Sequence, residues 1–185
     1  MVKRMEPEIK IVNVVVSTQI GTDIDLEYAA DILDNAEYEP EQFPGLVCRL
    51  SDPKVALLIF RSGKLNCTGA KSKEDAEIAI KKIIKELKDA GMDIIDNPEV
   101  NVQNMVATAD LGIEPNLDDI STLEGTEYEP EQFPGLVYRL SDPKVVVLIF
   151  GSGKVVITGL KKKDDAYLAL DKILSTLKEL EEEYY

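Results

Sequence analysis

A long internal duplication constrains the fold of this chain more than any other feature of its sequence. The eleven residues EYEPEQFPGLV occur twice without change, 90 positions apart. With the same offset, segments 37–69 and 127–159 differ at seven positions, so 26 of their 33 residues are identical. Weaker similarity continues on both sides of this region. Because such repeats are copies of one structural unit, we predict two homologous domains, residues 1–95 and residues 96–185, the second ending in an acidic tail.

Each half contains the same succession of predicted elements. A β-branched strand is followed by a short helix, a Phe-Pro-Gly break, three strands joined by tight turns, and a long amphipathic helix. In the first half, Ser72 is a typical N-cap for the long helix. The apolar stripe of that helix consists of Ile80, Ile83, Ile84 and Leu87. This order predicts an α+β fold, in which an antiparallel sheet carries helices on one face only.

The alternation of residues along the strands predicts what the uncovered face presents, since successive side chains point to opposite faces. The helix-covered face of the first half would consist of Val14, Val16, Leu57, Ile59, Leu65 and Cys67. The other face would carry Asn13, Val15, Ser17, Leu58, Phe60, Asn66 and Thr68. In the second half it would carry Asn104, Val106, Thr108, Leu148, Phe150, Val156 and Thr158. A face that is apolar apart from a few amides and hydroxyls is typical of a binding surface.

The four phenylalanines of the chain form two pairs, each seventeen residues apart: Phe43 with Phe60, and Phe133 with Phe150. Folding antiparallel strands about the SDPK turn places the two members of each pair side by side. Each pair would stand at one end of the sheet of its half. From the spacing alone, two duplicated aromatic core clusters remain an alternative to two exposed aromatic sites.

Composition excludes several classes of function. The chain has no histidine, so Ser-His and Cys-His catalysis and imidazole metal sites are absent. Its two cysteines lack metal-ligand spacing and are typical of small core residues. The N-terminal sequence turns acidic before any apolar run develops, so we expect a cytoplasmic protein rather than an exported or membrane-bound one. A net charge of −14, taken alone, argues against an anionic partner.

The duplicated pattern, with Phe, Asn, Thr, Arg and Lys at matching positions in both halves, closely resembles the TATA-box-binding protein family over residues 10–180. The resemblance implies a saddle of two pseudo-symmetric repeats, with a curved ten-stranded antiparallel sheet below and helices on the convex face. Its short N-terminus and acidic end are similar to those of archaeal members. The implied function is that of a general transcription initiation factor without cofactors. This family is itself a standard example of minor-groove binding with apolar wedges.

The resemblance also implies roles for individual residues. The wedges that kink the DNA would be Phe43, Phe60, Phe133 and Phe150. Base edges and the groove floor would be contacted by Asn13, Val15, Leu58, Thr68, Asn104, Val106, Leu148, Val156 and Thr158. The strand regions are locally basic, and phosphate contacts would come from Arg49, Lys54, Lys64, Arg139, Lys144 and Lys154. Asn66 departs from the family pattern, which has an apolar residue at this position.

The implied partners are promoter DNA, transcription factor B and RNA polymerase. Glu129, Glu131 and Gln132 match the surface on which the family's second repeat meets transcription factor B. Paired acidic residues at 118–119 and 164–165 are predicted to lie at helix starts rather than to bind metal. Two alternatives remain beside a nucleoid-associated promoter factor. One is an enzyme that borrows the saddle, for which we see no catalytic motif, and the other is a module whose apolar face binds a protein, including a second copy of this chain.

Overall fold

The computed structural model describes residues 7–184, and its first repeat follows the predicted order with one addition, a two-residue strand before the Phe-Pro-Gly break. The elements are β1 (Lys10–Gln19), α1 (Leu26–Ile32), β2 (Ala36–Glu37), β3 (Leu46–Ser51), β4 (Lys54–Ile59), β5 (Lys64–Ala70) and α2 (Lys73–Asp89). Asp25 caps α1, and Ser72 caps α2 through a hydrogen bond from the Asp75 N–H to its hydroxyl. The predicted cap of the long helix is therefore confirmed.

The second repeat has the same order of elements. They are β6 (Asn101–Asp110), α3 (Leu117–Ile120), β7 (Thr126–Glu127), β8 (Leu136–Ser141), β9 (Lys144–Ile149), β10 (Lys154–Leu160) and α4 (Lys163–Tyr184). Its short helix α3 is a single turn, and the hydroxyls of Ser121 and Thr122 donate to the carbonyls of Asp118 and Asp119 at its end. Such local side-chain bonds compete with continuation of a helix. The acidic tail is part of α4 up to residue 184.

The ten strands belong to one antiparallel sheet, to which each repeat contributes five. Within the first repeat the strand order is β2-β3-β4-β5-β1, and within the second it is β6-β10-β9-β8-β7. By contacts, residues 13–104 form one compact unit, while residues 105–184 and residues 7–12 form another. The α+β class predicted from the sequence, with ten antiparallel strands and four helices, is confirmed.

The core of each repeat lies between the sheet and its long helix. All six residues assigned to the helix-covered face of the first half have no solvent exposure: Val14, Val16, Leu57, Ile59, Leu65 and Cys67. The apolar stripe of α2, centred on Ile80 and Ile83, is buried as well. Each aliphatic side chain buried in this way stabilises the fold by about 1.5–3 kcal/mol. The sheet therefore has a fixed inner face, and its strands cannot slip by one residue without exposing that face.

Both cysteines are free thiols inside this core. Burial raises the pKa of Cys67 to about 11. Burial, together with the nearby charges of Glu86 and Asp34, also raises the pKa of Cys48. Both side chains are therefore protonated at neutral pH, as suits structural residues.

Among residues 7–184, no helix is both long enough and apolar enough to cross a membrane.

Candidate nucleic-acid interface

The sheet face opposite the helices, called the open face below, carries the side chains that the alternation predicted. Every predicted member in the first half is half-buried: Asn13, Val15, Ser17, Leu58, Phe60, Asn66 and Thr68. The same holds in the second half for Asn104, Val106, Thr108, Leu148, Phe150, Val156 and Thr158. These positions alternate with fully buried ones along each strand, so the two faces of the sheet are cleanly separated. In both repeats the open face is apolar with isolated polar groups.

Strand register aligns these side chains into rows that cross four strands. In the first repeat, Leu58 lies opposite Val47 on one side and Asn66 on the other, and Asn66 lies opposite Ser17. In the second repeat the corresponding row is Val137, Leu148, Val156 and Thr108. Two half-buried members of these rows, Val47 and Val137, were missed in the sequence analysis. The alternation along β3 and β8 is the signal that would have found them.

A second cross-strand row in each repeat contains a basic residue and, two strands away, a residue with a hydroxyl group. Arg49 on β3 lies opposite Ala56, which in turn lies opposite Thr68. The second repeat repeats this arrangement with Arg139, Val146 and Thr158. Because neighbouring strands are about 4.8 Å apart, each arginine is two strands, or roughly 10 Å, from its threonine. At that distance, the arginine can contact a phosphate of DNA while the threonine hydroxyl faces the edge of a base.

The phenylalanines meet in two pairs, as their spacing predicted. The ring centroids of Phe43 and Phe60 are 5.9 Å apart at an interplanar angle of 68°, and those of Phe133 and Phe150 are 5.9 Å apart at 71°. These are edge-to-face arrangements, a favoured geometry for aromatic pairs. Phe43 and Phe133 are 39% and 40% exposed, and their partners are half-buried. The alternative of two aromatic core clusters does not fit this exposure.

A glycine lies beneath each aromatic pair. A Cβ atom added to Gly45 would lie 2.8 Å from a ring carbon of Phe43 and 3.0 Å from one of Phe60. The corresponding distances at Gly135 are 2.8 Å to Phe133 and 2.9 Å to Phe150. Since real Cβ atoms do not approach other atoms so closely, only glycine leaves room for both rings. The sequence analysis interpreted the Phe-Pro-Gly motif as a chain break and missed that its glycine leaves space for the two rings.

One polar group of the open face has a fixed orientation. The backbone N–H of Gly69 donates to Oδ1 of Asn13 over 2.8 Å. Asn66 lies on the same face, between Leu58 and Ser17 in the register. The structure therefore has a polar residue on this face where the family pattern has an apolar one.

The six predicted phosphate-contacting cations are all exposed: Arg49, Lys54, Lys64, Arg139, Lys144 and Lys154. Both lysines of each repeat stand at the first residue of a strand. A guanidinium nitrogen of Arg139 lies 3.4 Å from a carboxylate oxygen of Glu127, and both side chains are well exposed. Exposed pairs of this kind contribute little to stability. Arg139 can therefore exchange Glu127 for another anion at small cost.

The acidic segment predicted to bind a partner is a tight turn that also includes Phe133. The N–H groups of Gln132 and Phe133 donate to the carbonyl of Glu129 over 2.9 and 3.0 Å. Glu129, Glu131 and Gln132 are exposed. The first repeat forms the same turn around the Glu39 carbonyl. The two acidic turns therefore have the same backbone structure.

The part of the chain that the structure describes contains no group of three or more Cys, Asp or Glu side chains able to hold a metal ion. The acidic pairs Asp118–Asp119 and Asp164–Asp165 lie in the first turns of α3 and α4, as predicted. Carboxylates are favoured there by the helix dipole.

Comparison with known proteins agrees with this geometry. A family model described as transcription factor TFIID, or TATA-binding protein, matches residues 8–90 and 99–180, one match in each repeat. The TATA-box-binding protein of Methanococcus maripaludis strain C7 is 91% identical over 181 residues, which cover 98% of this chain and 100% of that protein. The one from Methanocaldococcus jannaschii is 82% identical and covers 97% of this chain and 99% of that protein.

Among solved structures, Methanococcus jannaschii TBP superposes with a TM-score of 0.89 at 83% identity, covering 94% of this chain and 99% of that one. The resemblance seen in the sequence is thus confirmed, and its archaeal character with it. The matched family consists of DNA-binding transcription factors and is not a family of enzymes. With two matching repeats and relatives that align along nearly its whole length, this chain belongs to the TATA-binding protein family.

Proposed function

We propose that this protein is a general transcription initiation factor that binds the minor groove of an A·T-rich promoter element and kinks it with its paired phenylalanines. The observation that carries the proposal is the combination of an apolar open face with a partly exposed Phe pair in each repeat. Side chains of this kind partly unstack base steps when they enter the minor groove. A bent duplex then contacts more of the sheet than a straight one could.

The chemistry of the open face suits A·T pairs. In the minor groove, A·T and T·A present only acceptors, while G·C adds the amino group of guanine. A floor made of Val15, Leu58, Val106, Leu148 and Val156 gives that amino group no hydrogen-bond partner. Burying an unpaired polar group is costly. An apolar floor therefore rejects G·C pairs without forming many base contacts.

Local charge answers the objection raised by the net charge of −14. Residues 46–70 carry four Lys or Arg against one acidic residue, and residues 136–160 carry three against one. If all six proposed phosphate contacts form, log K falls with log salt concentration at a slope of about −5. The negative charge of the rest of the molecule weakens non-specific attraction to DNA.

The decisive experiment is a salt titration of binding to a TATA-containing duplex with a donor and an acceptor dye at its ends. We expect selective binding over a G·C-substituted control, with energy transfer reporting a bend that appears together with binding. Binding without selectivity or bending at every salt concentration would contradict the proposal. The apolar open face would then be assigned to a protein partner, or to a second copy of this chain.

We also propose that the protein recruits transcription factor B and RNA polymerase, and that the acidic turn of the second repeat binds transcription factor B. Replacing Glu129 and Glu131 together by Arg should weaken the ternary complex by about tenfold or more, because it reverses the charge of the surface that the partner would contact. DNA binding should be unchanged, since these side chains lie outside the open face. The measurement is a mobility shift of the DNA-bound protein titrated with transcription factor B.

The duplication supplies a matched control for this test. The double replacement of Glu39 and Glu41 by Arg makes the same change in the same turn of the first repeat. This variant should keep normal recruitment. Equal losses in both variants would show that the effect is a general response to charge, and the assignment to the second repeat would be abandoned.

A further inference from the structure

The hydrogen bond between Asn13 and Gly69 decides which end of the Asn13 amide faces outward. A backbone N–H can only donate, so the group that it meets over 2.8 Å must be the carbonyl oxygen Oδ1. The NH₂ group of Asn13 is therefore directed away from Gly69. Asn13 is half-buried on the open face, so this side chain presents a donor at a surface that is largely apolar.

A bulge in β5 makes the Gly69 N–H available. Val14 pairs with Ala70 and Val16 pairs with Cys67, so two steps along β1 face three steps along β5. The extra residue shifts the register of the ladder at this point, as β-bulges do. Gly69 has a φ of +90°, a conformation that glycine adopts readily and other residues rarely adopt. Its N–H is thereby turned to the side chain of Asn13.

The base contact of Asn13 is the one that the family resemblance implies. We propose that the Gly69 bulge is the positioning element for this contact: it locks Asn13 with its NH₂ group toward the minor groove and so contributes to the choice of A·T over G·C. This inference rests on the proposed function. Adenine N3 and thymine O2 are acceptors and match the NH₂ group. The amino group of guanine is a donor and opposes it. Without the lock, the amide could rotate by 180° and offer its oxygen to guanine instead.

The first test is the variant Asn13→Asp, which keeps the shape of the side chain and an acceptor for the Gly69 N–H. It replaces the outward donor by a carboxylate oxygen. We expect the preference for A·T over G·C at the contacted base pair to fall by about tenfold, as expected for reversal of one base-edge contact. The preference is a ratio of two affinities, so a uniform repulsion between the new charge and DNA cancels from it.

Two controls sharpen this test. Inosine·cytosine pairs lack the minor-groove amino group, and the unmodified protein should bind them nearly as well as A·T. The variant Asn101→Asp adds the same charge at an exposed position of β6 outside the proposed contact residues and should leave the A·T over G·C ratio unchanged. If Asn101→Asp lowers the ratio as much as Asn13→Asp does, or if neither lowers it, the inference is wrong.

The second test addresses the positioning role of Gly69. In Gly69→Ala the new Cβ would be 3.7 Å from the nearest atom, the Lys54 carbonyl oxygen, so the fold has room for it. The strain at φ +90° should turn the N–H away from Asn13 and lower the A·T over G·C ratio about threefold to tenfold. In an Asn13→Ala background the same change should leave the ratio unaltered. A merely structural role of Gly69 would lower binding equally in both backgrounds.

These outcomes separate the inference from the function on which it rests. If the unmodified protein binds TATA duplexes selectively and Asn13→Asp retains the full ratio, only the lock is refuted. If the unmodified protein itself shows no preference for A·T, the proposed function fails, and the lock fails with it.

Discussion

Replacing Phe60 and Phe150 together by Ala is expected to remove most of the DNA bend while the fold remains intact. These are the half-buried members of the two aromatic pairs, and they lie on the open face beside their exposed partners. The bend requires two base steps to be partly unstacked. The free-energy cost of this unstacking is offset only when an apolar side chain inserts between the bases. Stacking of one aromatic ring on a base contributes about 1–3 kcal/mol. The loss of both rings should therefore weaken TATA binding about a hundredfold.

The stability of the variant distinguishes a wedge from a core residue. A fully buried Phe costs about 3–5 kcal/mol when replaced by Ala. Here the main intramolecular loss is one edge-to-face contact in each pair, about 0.5–1.5 kcal/mol. Thermal unfolding and dye-reported bending should therefore respond very differently. A large drop in Tm with a normal bend would mean that the rings stabilise the fold and do not bend DNA.

Two matched variants complete the comparison. Tyr167 on α4 is 38% exposed, close to the 39% of Phe43, and lies on a helix rather than on the sheet. Tyr167→Ala should change neither bending nor binding. Ile59 precedes Phe60 but is fully buried on the other face, so Ile59→Ala should cost about 2–5 kcal/mol of stability. At temperatures below its Tm, the variant Ile59→Ala should bind and bend DNA almost as the unmodified protein does.

The parts of the fold that follow from local periodicity could be predicted from the sequence. Alternation alone assigned Leu57 and Leu58 to opposite faces of the sheet. In the structure, Leu57 has no solvent exposure and Leu58 is half-buried. Hairpin geometry alone placed Phe43 beside Phe60. Both results depend only on the period of a strand and the position of a turn. The residue roles in DNA binding and partner recruitment, and the domain boundaries at 95 and 96, stay predictions.

The features that the sequence analysis missed arise from departures from regular periodicity. The strands β2 and β7 have two residues each, too few to show any alternation. The Gly69 bulge depends on a register shift between strands that are far apart in sequence. Helix α3 has four residues, although its counterpart α1 has seven. The glycine inside the β5 pattern is the local signal that would have indicated the bulge.

Near-identity of sequence does not make the two halves equivalent in structure. Arg61, next to Phe60, pairs with Asp23 over 3.2 Å, while the second repeat has Gly151 at that position. Cys48 is buried, but its counterpart Tyr138 is half-buried and faces a groove beside α4. The acidic turns are the same, so any preference of a partner for one end must arise from such neighbouring differences.

The largest loss of stability is expected when alanine replaces the glycine that lies closest to another part of the backbone in each repeat. Gly63 and Gly153, in the turns after the second Phe of each pair, both have a φ of +91°. An added Cβ would lie 1.7 Å from the carbonyl oxygen of Gly21 in the first case and 2.0 Å from that of Ile113 in the second. Neither contact can relax by a side-chain rotation, because both involve backbone atoms. Gly63→Ala and Gly153→Ala should each cost about 3–5 kcal/mol, from overpacking and left-handed strain combined.

Gly151→Ala is the matched control, since it lies two residues from Gly153, has no positive φ and would place its Cβ more than 4 Å from any neighbour. Its free energy of unfolding should change by no more than about 0.5 kcal/mol. For a chain of this size, the loss in Gly153→Ala corresponds to a Tm lower by roughly 10 °C, measurable by calorimetry. The N–H of Gly153 donates to the Phe150 carbonyl, so the same variant should also misplace the wedge and reduce DNA bending at temperatures where it is still folded. Equal Tm values for Gly153→Ala and Gly151→Ala would mean that the turn can open without cost, and that the Phe pair is not held by it.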